Sequence, residues 1–251
     1  MEAVGWSLGR RGGWVIPEGL LLDLDDTILD DTGSVVSSWM DACVAHQSAM
    51  ETHDPAEVFD AIDKIREWYW SDPERHRVGR LDLAAARCEV VRLALTGIGV
   101  DMPDLAQKIG ETYHTLRTEG LQPFDGAIDT VKWLRENGRR LVLLTNGAGP
   151  AQRAKVDRFG LANLFDAILI EGEVGFGKPD PRIYVRALNE LGVKPDQAWM
   201  VGDNLEWDVA GPQRHGIAGI WIDLRGTGVP AGHHVRPDRI IRRLSDLRTA
   251  S

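Results

Sequence analysis

The sequence predicts an α/β protein: a Rossmann-like parallel sheet in a three-layer α/β/α core, with an inserted α-helical domain. Two observations support this. Short apolar runs alternate with helix-like stretches over most of the chain, whereas one long interval shows only helical spacing. Strand–helix alternation is typical of a parallel sheet covered by helices on both faces.

The core elements follow in order along the chain. Short apolar runs that end in polar or glycine turns predict five strands, at 20–22, 141–144, 167–170, 198–201 and 217–222. Helical spacing predicts helices at 126–137, 149–159, 181–191 and 205–215. Residues 1–18 are rich in glycine and contain no long apolar run, so we expect a loose extension there.

The interval 35–121 predicts a separate helical bundle of four or five helices. Apolar residues recur at helical spacing, and breaks fall at Asp54-Pro55, Ser71-Asp72-Pro73 and Gly97-Ile98-Gly99. We therefore divide the chain into a core domain, 1–34 with 122–251, and a helical cap domain, 35–121. A domain inserted after the first strand is expected over the strand ends, where open α/β sheets bind ligands.

Composition restricts the partners. The 251 residues carry a net charge of -9, which argues against a nucleic acid polymer but not against a small phosphorylated metabolite. No apolar run reaches 18 residues, so no membrane span is expected. The two cysteines, Cys43 and Cys88, lack metal-binding spacing and suggest reduced thiols in a cytoplasmic protein. The sequence does not indicate an oligomeric state.

Two groups of charged or aromatic residues have ordinary structural interpretations. The first is C-terminal and is expected to form a solvated helix face: Arg236, Arg239, Arg242, Arg243 and Arg248. The second mixes rings and cations: Trp68, Tyr69, Trp70, Arg75 and Arg80. That mixture suits an organic phosphate, but we expect the tryptophans in the core of the bundle and most arginines in solvent.

The stretch Asp23-Leu24-Asp25-Asp26-Thr27 directly follows the first predicted strand. In an extended backbone, Asp23 and Asp25 lie on the same side. This arrangement suits one carboxylate as a nucleophile and another as a proton donor, with a hard divalent metal between them. The alternative is an acidic turn after a core strand.

Three further polar clusters follow later strands, namely Thr145-Asn146-Gly147, Gly177-Lys178-Pro179 and Gly202-Asp203-Asn204, with Asp208 five residues after Asp203. In a parallel sheet these points share one edge. Lys178 and Thr145 offer the charge and hydroxyl that a phosphoryl group needs, and Asp203 with Asp23 offers oxygen ligands for Mg²⁺. Asp23 could then attack phosphorus while Asp25 protonates the leaving oxygen and later activates water.

The sequences DLDDT, LLTNG, GKPDP and GDNLEWD, in this order, resemble the four motifs of the haloacid dehalogenase superfamily of phosphohydrolases. The resemblance covers residues 20 to 225 and is closest to phosphatases with a helical first-type cap. It implies Asp23 as nucleophile, Asp25 as acid and base, and Thr145 and Lys178 as phosphate-binding residues. We assign Asn146 to phosphate binding too, with turn geometry as the alternative.

The resemblance also implies a metal site. Mg²⁺ would take the Asp23 side chain, the Asp25 main-chain carbonyl and the Asp203 side chain. Asp208 resembles the second acidic position, a supporting group or an occasional ligand. Thr27 is expected to support the loop by hydrogen bonding.

The predicted function is Mg²⁺-dependent hydrolysis of a small phosphomonoester, such as a sugar phosphate, phosphoglycolate or a nucleotide, through an aspartyl-phosphate. One alternative is a phosphomutase that shares the first step. Another is a metal-independent 2-haloacid dehalogenase, although carbon–halogen displacement needs no acid and the resembling dehalogenases lack one at the Asp25 position. A third is a non-catalytic binding protein on the same scaffold, although the acidic set is intact.

Overall fold

The protein was analysed as a computed structural model that describes residues 15–50 and 53–248. Two compact units are found. The sheet unit comprises the chain up to Leu29, Pro123–Asn146 and the chain from Gln152 onwards, and the helical unit comprises Asp30–Gln122 with Gly147–Ala151. Most of the predicted N-terminal extension, residues 1–14, lies outside the described residues.

The sheet unit contains a six-stranded parallel sheet in the order β5-β4-β1-β6-β7-β8. Its strands are β1 (Gly19–Leu22), β4 (Arg140–Thr145), β5 (Ala167–Ile170), β6 (Ala198–Gly202), β7 (Ala218–Ile222) and β8 (Arg239–Ile241). Two short strands, β2 (Leu29–Asp30) and β3 (Gln122–Pro123), pair separately. Every residue of β1, which lies between β4 and β6, is buried, as near-continuous apolar runs predict for a sheet covered on both faces.

The α-helices of the sheet unit are α6 (Ala127–Glu136), α7 (Gly149–Arg158, from Gln152 onwards), α8 (Glu171–Val174), α9 (Pro181–Leu191) and α10 (Gly211–Gln213). The ends of α9 are set by its sequence. Asp180 caps the first turn through its side chain, Pro181 occupies the first helical position, and Gly192 ends the helix with φ 62°. Its buried face, including Ile183 and Tyr184, packs in the core beneath the sheet.

The helix predicted over 205–215 forms, but it is shorter and irregular. Residues Leu205–Ala210 form a π-helix, which continues into the single turn of α10. Pro212 has no N–H to donate to a helical carbonyl, and this favours irregular winding around it.

The predicted C-terminal helix face is also wrong. Within residues 15–50 and 53–248, the segment instead supplies strand β8 and a 3-10 turn, Leu244–Arg248. Strand β8 pairs with β7, and Ile241 is buried. Arg239 begins the strand and Arg248 ends the turn, whereas Arg236, Arg242 and Arg243 lie outside both elements.

The helical unit contains five α-helices among its described residues: α1 (Val35–Ala45), α2 (Pro55–Ser71), α3 (Pro73–Gly79), α4 (Leu83–Gly97) and α5 (Pro103–Gly120). Its core includes Trp39, Val58 and Ile109. The predicted breaks coincide with the helix ends. The expectation that the tryptophans are core fails at Trp68, which is half exposed and carries the Arg75 guanidinium 3.8 Å from its ring centroid.

Candidate active site

The carboxyl edge of the sheet gathers the predicted polar residues. Asp23 directly follows β1, Thr145 is the last residue of β4, and Asp203 directly follows β6. These three strands are adjacent and parallel, so their carboxyl ends share one edge. The Asp23 amide donates to the Val201 carbonyl at 3.0 Å, so the hydrogen bonds between β1 and β6 continue to the predicted nucleophile.

A buried lysine lies between two carboxylates at this edge. The Lys178 ammonium donates to Asp23 Oδ1 and to Asp208 Oδ1, each at 2.7 Å. Lys178 is 1% exposed and Asp208 is fully buried. Burial by itself would lower the pKa of Lys178, but the charges of Asp208 and Asp23 raise that pKa above its ordinary value. The lysine is therefore a permanent cation next to the predicted nucleophile.

Asn146 fixes the main chain that carries Lys178. Its side-chain amide donates to the Lys178 carbonyl and accepts from the Lys178 amide, both at 2.7 Å. Gly177 is required here because a Cβ at this position would overlap Asn146 Oδ1. The predicted contact of Asn146 with phosphate stays a prediction, and the structure adds a positioning role for its side chain.

Three carboxylates form a candidate metal centre. One oxygen from each of Asp23, Asp203 and Asp208 lies within 4.8 Å of the others. Burial raises the pKa of Asp23 to about 7, against the lowering effect of Lys178. Burial and then the charges of Asp23 and Asp208 raise the pKa of Asp203 to about 9. Ionising all three carboxyls beside one ammonium would leave an excess of negative charge, which a cation would offset, and such an oxygen set suits Mg²⁺.

The Asp25 side chain belongs to a second cluster. Lys155 donates to both of its oxygens, at 2.7 and 2.8 Å, and Gln152 Nε2 donates to Asp25 Oδ2 at 2.9 Å. Gln152 also donates to Thr145 Oγ1 at 2.5 Å. Neither Gln152 nor Lys155 was identified from the sequence. The available signal was their three-residue spacing on α7, which places both on one helix face just after Thr145.

Two threonines of the motifs differ in their surroundings. Thr145 is buried, and its hydroxyl lies 3.3 Å from the Asn146 carbonyl. Thr27 was expected to hydrogen-bond within the loop after β1. That expectation is wrong, because its buried hydroxyl has no hydrogen-bond partner among the described residues.

Comparison with known proteins gives the family. The model of the haloacid dehalogenase-like hydrolases matches residues 17–216. The chain belongs to this family of enzymes. It is 36% identical over 249 residues to a phosphoserine phosphatase from Thermus thermophilus, covering 91% of this chain and 96% of the relative. It is also 30% identical over 208 residues to a glyceraldehyde 3-phosphate phosphatase from Methanopyrus kandleri, covering 82% and 83% of the two chains.

Solved structures share the fold. The HAD-hydrolase YfnB from Bacillus subtilis, solved with magnesium, is 21% identical with a TM-score of 0.71, covering 93% of this chain and 97% of that one. A 2-haloacid dehalogenase from Pseudomonas syringae is 27% identical with a TM-score of 0.61, over the same shares of the two chains. Among the described residues, no helix is both long and apolar enough to cross a membrane.

Proposed function

We propose that the protein is a Mg²⁺-dependent phosphatase that hydrolyses a small phosphomonoester through an aspartyl-phosphate on Asp23. The observation that carries the proposal is the pairing of a buried nucleophile with a separately held acid. Asp23 lies 2.7 Å from the Lys178 ammonium, and Asp25 is hydrogen-bonded to other side chains, those of Gln152 and Lys155.

In the first step, a carboxylate oxygen of Asp23 attacks phosphorus. A new oxygen–phosphorus bond forms, the bond to the leaving oxygen breaks, and Asp25 in its acid form gives that oxygen a proton. Lys178 and the Thr145 hydroxyl stabilise the charge on the other phosphoryl oxygens. In the second step, Asp25 takes a proton from water as that water attacks phosphorus, which frees Asp23 and releases inorganic phosphate.

The metal-binding part of the proposal rests on the chemistry of the acidic set. The side chains of Asp23 and Asp203 would hold Mg²⁺ together with the Asp25 main-chain carbonyl, and Asp208 would orient Lys178 and support the site. Bound there, Mg²⁺ would offset the carboxylate charge so that an anionic substrate can approach.

The dehalogenase alternative is less well supported. Displacement at carbon releases a halide that needs no proton, so it would give no role to Asp25, which Gln152 and Lys155 position. A phosphomutase shares the first step and would return phosphate to the substrate. Isomer conversion without net phosphate release would favour it.

The names of the relatives supply the first substrates to test. Phosphoserine and glyceraldehyde 3-phosphate come from the two related phosphatases. Phosphoglycolate, sugar phosphates and nucleoside monophosphates complete a panel that varies the leaving group around one phosphomonoester.

The experiment measures inorganic phosphate release from this panel with Mg²⁺, with EDTA, and with the Asp23→Asn variant. Asp129→Asn is the matched control, since the Asp129 side chain is 69% exposed on α6. We expect turnover of at least one ester that EDTA and Asp23→Asn abolish and the control retains. Phosphate release that neither EDTA nor Asp23→Asn reduces would refute the mechanism.

A further inference from the structure

A cavity lies wholly within the helical unit. Its volume is about 310 Å³, at the lower end of ligand-binding pockets and on the order of ten water volumes. Four arginines line it: Arg66, Arg80, Arg87 and Arg117. Among the described residues that line this cavity, Asp31 is the one carboxylate.

Two buried donors of this cavity lack partners. Trp39 is 2% exposed and Arg117 is 3% exposed. The Trp39 Nε1–H and the Arg117 Nε–H have no hydrogen-bond partner among the described residues. Arg117 uses its other nitrogens on Ser34 Oγ at 2.6 Å and on Asp31 at 3.4 Å. An unmade hydrogen bond at a buried donor is costly, so these two N–H groups are suited to a ligand acceptor.

The cation of Arg87 is also incompletely compensated. Its guanidinium contacts His114 Nδ1 at 2.8 Å, and within the described parts of the chain it forms no ion pair with a carboxylate. Burial lowers the pKa of Arg87, with Asp31 acting in the opposite direction. Burial, and then the charge of Arg87, also lower the pKa of His114, so the ring accepts this contact in its neutral form. The arginine remains charged, and no carboxylate of the described residues pairs with it directly.

An aromatic stack forms part of the wall. Trp39 and Tyr113 lie parallel with their ring centroids 3.5 Å apart, and the Arg87 guanidinium is 5.0 Å from the Tyr113 centroid. Rigid aromatic faces beside an arginine suit a flat organic anion.

We propose that this cavity is a binding site for a small organic anion, whose carboxylate or phosphate accepts hydrogen bonds from Trp39 and Arg117 and pairs with Arg87. Two sources can supply this chemistry: a second anionic group of the phosphatase substrate, or a separate metabolite. The assignment to one of these sources rests on the proposed function, whereas the existence of the binding site is independent of that function.

The binding test follows the tryptophan indole N–H signals by NMR while benzoate is added to the intact Mg²⁺-loaded protein. Nine tryptophans are present, and a Trp39→Phe variant identifies the Trp39 signal. Benzamide, which has a similar shape without the charge, is the ligand control. We expect benzoate to shift the Trp39 signal saturably and benzamide to leave it in place.

Arg87→Gln should weaken benzoate binding about tenfold or more, because it removes one charge-assisted interaction. Arg87→Lys should restore part of the affinity. The matched control is Arg92→Gln on the same helix, where the side chain is 48% exposed and paired with Glu89. A Trp39 signal that benzoate does not move, or an equal loss in Arg92→Gln, would overturn the proposal.

Kinetics then identify the source of the anion. Phosphoserine and phosphoethanolamine differ by one carboxylate. If Arg87→Gln raises KM for phosphoserine alone, the anion belongs to the substrate. If Arg87→Gln leaves KM for both substrates unchanged but abolishes benzoate binding, a separate metabolite occupies the site. The titration needs no turnover, so an inactive enzyme would refute the proposed function and leave this test intact.

Discussion

Replacing Lys178 by methionine should destabilise the metal-free protein strongly. The substitution keeps the length of the side chain but removes two 2.7 Å hydrogen bonds and leaves the carboxylates of Asp23 and Asp208 buried without their cation. Breaking a buried ion pair in this way costs about 3–5 kcal/mol. For a protein of this size each kcal/mol lowers Tm by about 2–4 °C, so Tm should fall by about 6–20 °C.

The penalty should depend on pH. Burial already raises the pKa of Asp23 to about 7 with Lys178 in place, and removing the ammonium raises it further. Below that pKa the carboxyl takes up a proton and the unpaired charge disappears. The loss in Tm should therefore be larger at pH 8.5 than at pH 6.

Thermal unfolding in EDTA, followed by circular dichroism at both pH values, measures this effect. Lys132→Met is the matched control, because the Lys132 side chain is 53% exposed in a surface pair with Asp129. Surface pairs of this kind contribute about 0–1 kcal/mol. A Lys178→Met protein that melts within about 2 °C of the wild type at pH 8.5 would refute the reasoning, since that corresponds to at most about 1 kcal/mol.

Three further predictions concern the same site. Asp25→Asn should lower kcat for alkyl phosphates by a factor of about 10²–10⁴. It should lower kcat for 4-nitrophenyl phosphate much less, because nitrophenolate leaves without being protonated. Equal losses on both substrates would contradict the role of Asp25 as an acid. Burial raises the pKa of Asp203 to about 9, so the folded metal-free protein holds a proton that the unfolded chain loses above about pH 4. The stability of the metal-free protein should therefore fall as pH rises from about 4 to about 9, and the increase in Tm on adding Mg²⁺ should grow. An increase in Tm that does not depend on pH, or that is unchanged in Asp203→Asn, would contradict this. Gly202→Ala should weaken Mg²⁺ binding measured by calorimetry, since its Cβ would overlap the Asp208 carboxylate, whereas Gly97→Ala, with open space around it, should not.

The sheet and its edge were predictable because each strand is a short apolar run with a clear end. The strand Ala167–Ile170 and the helix Pro181–Leu191 have the same bounds in the sequence prediction and in the structure. The residues that follow β1, β4 and β6 meet at one edge by topology alone, so Asp23, Thr145 and Asp203 could be grouped without coordinates.

Other features carried too weak a pattern. Strand β8 has only three residues beside several arginines, and it is defined by its pairing with β7. Gln152 and Lys155 look like ordinary polar residues of a helix surface, and only the folded chain places them against Asp25. The cavity of the helical unit depends on side chains from several helices, which spacing along the chain cannot bring together.

The side-chain amide of Gln152 also determines where the hydroxyl hydrogen of Thr145 points. Its Nε2 donates to Thr145 Oγ1, so that oxygen acts as an acceptor and the hydroxyl hydrogen must be directed elsewhere. The one acceptor that the described structure gives it is the Asn146 carbonyl, at a long 3.3 Å. A phosphoryl oxygen would be a stronger acceptor. If a phosphoryl group binds as proposed, the Thr145 hydroxyl would already be directed as a donor, and little reorganisation would be needed.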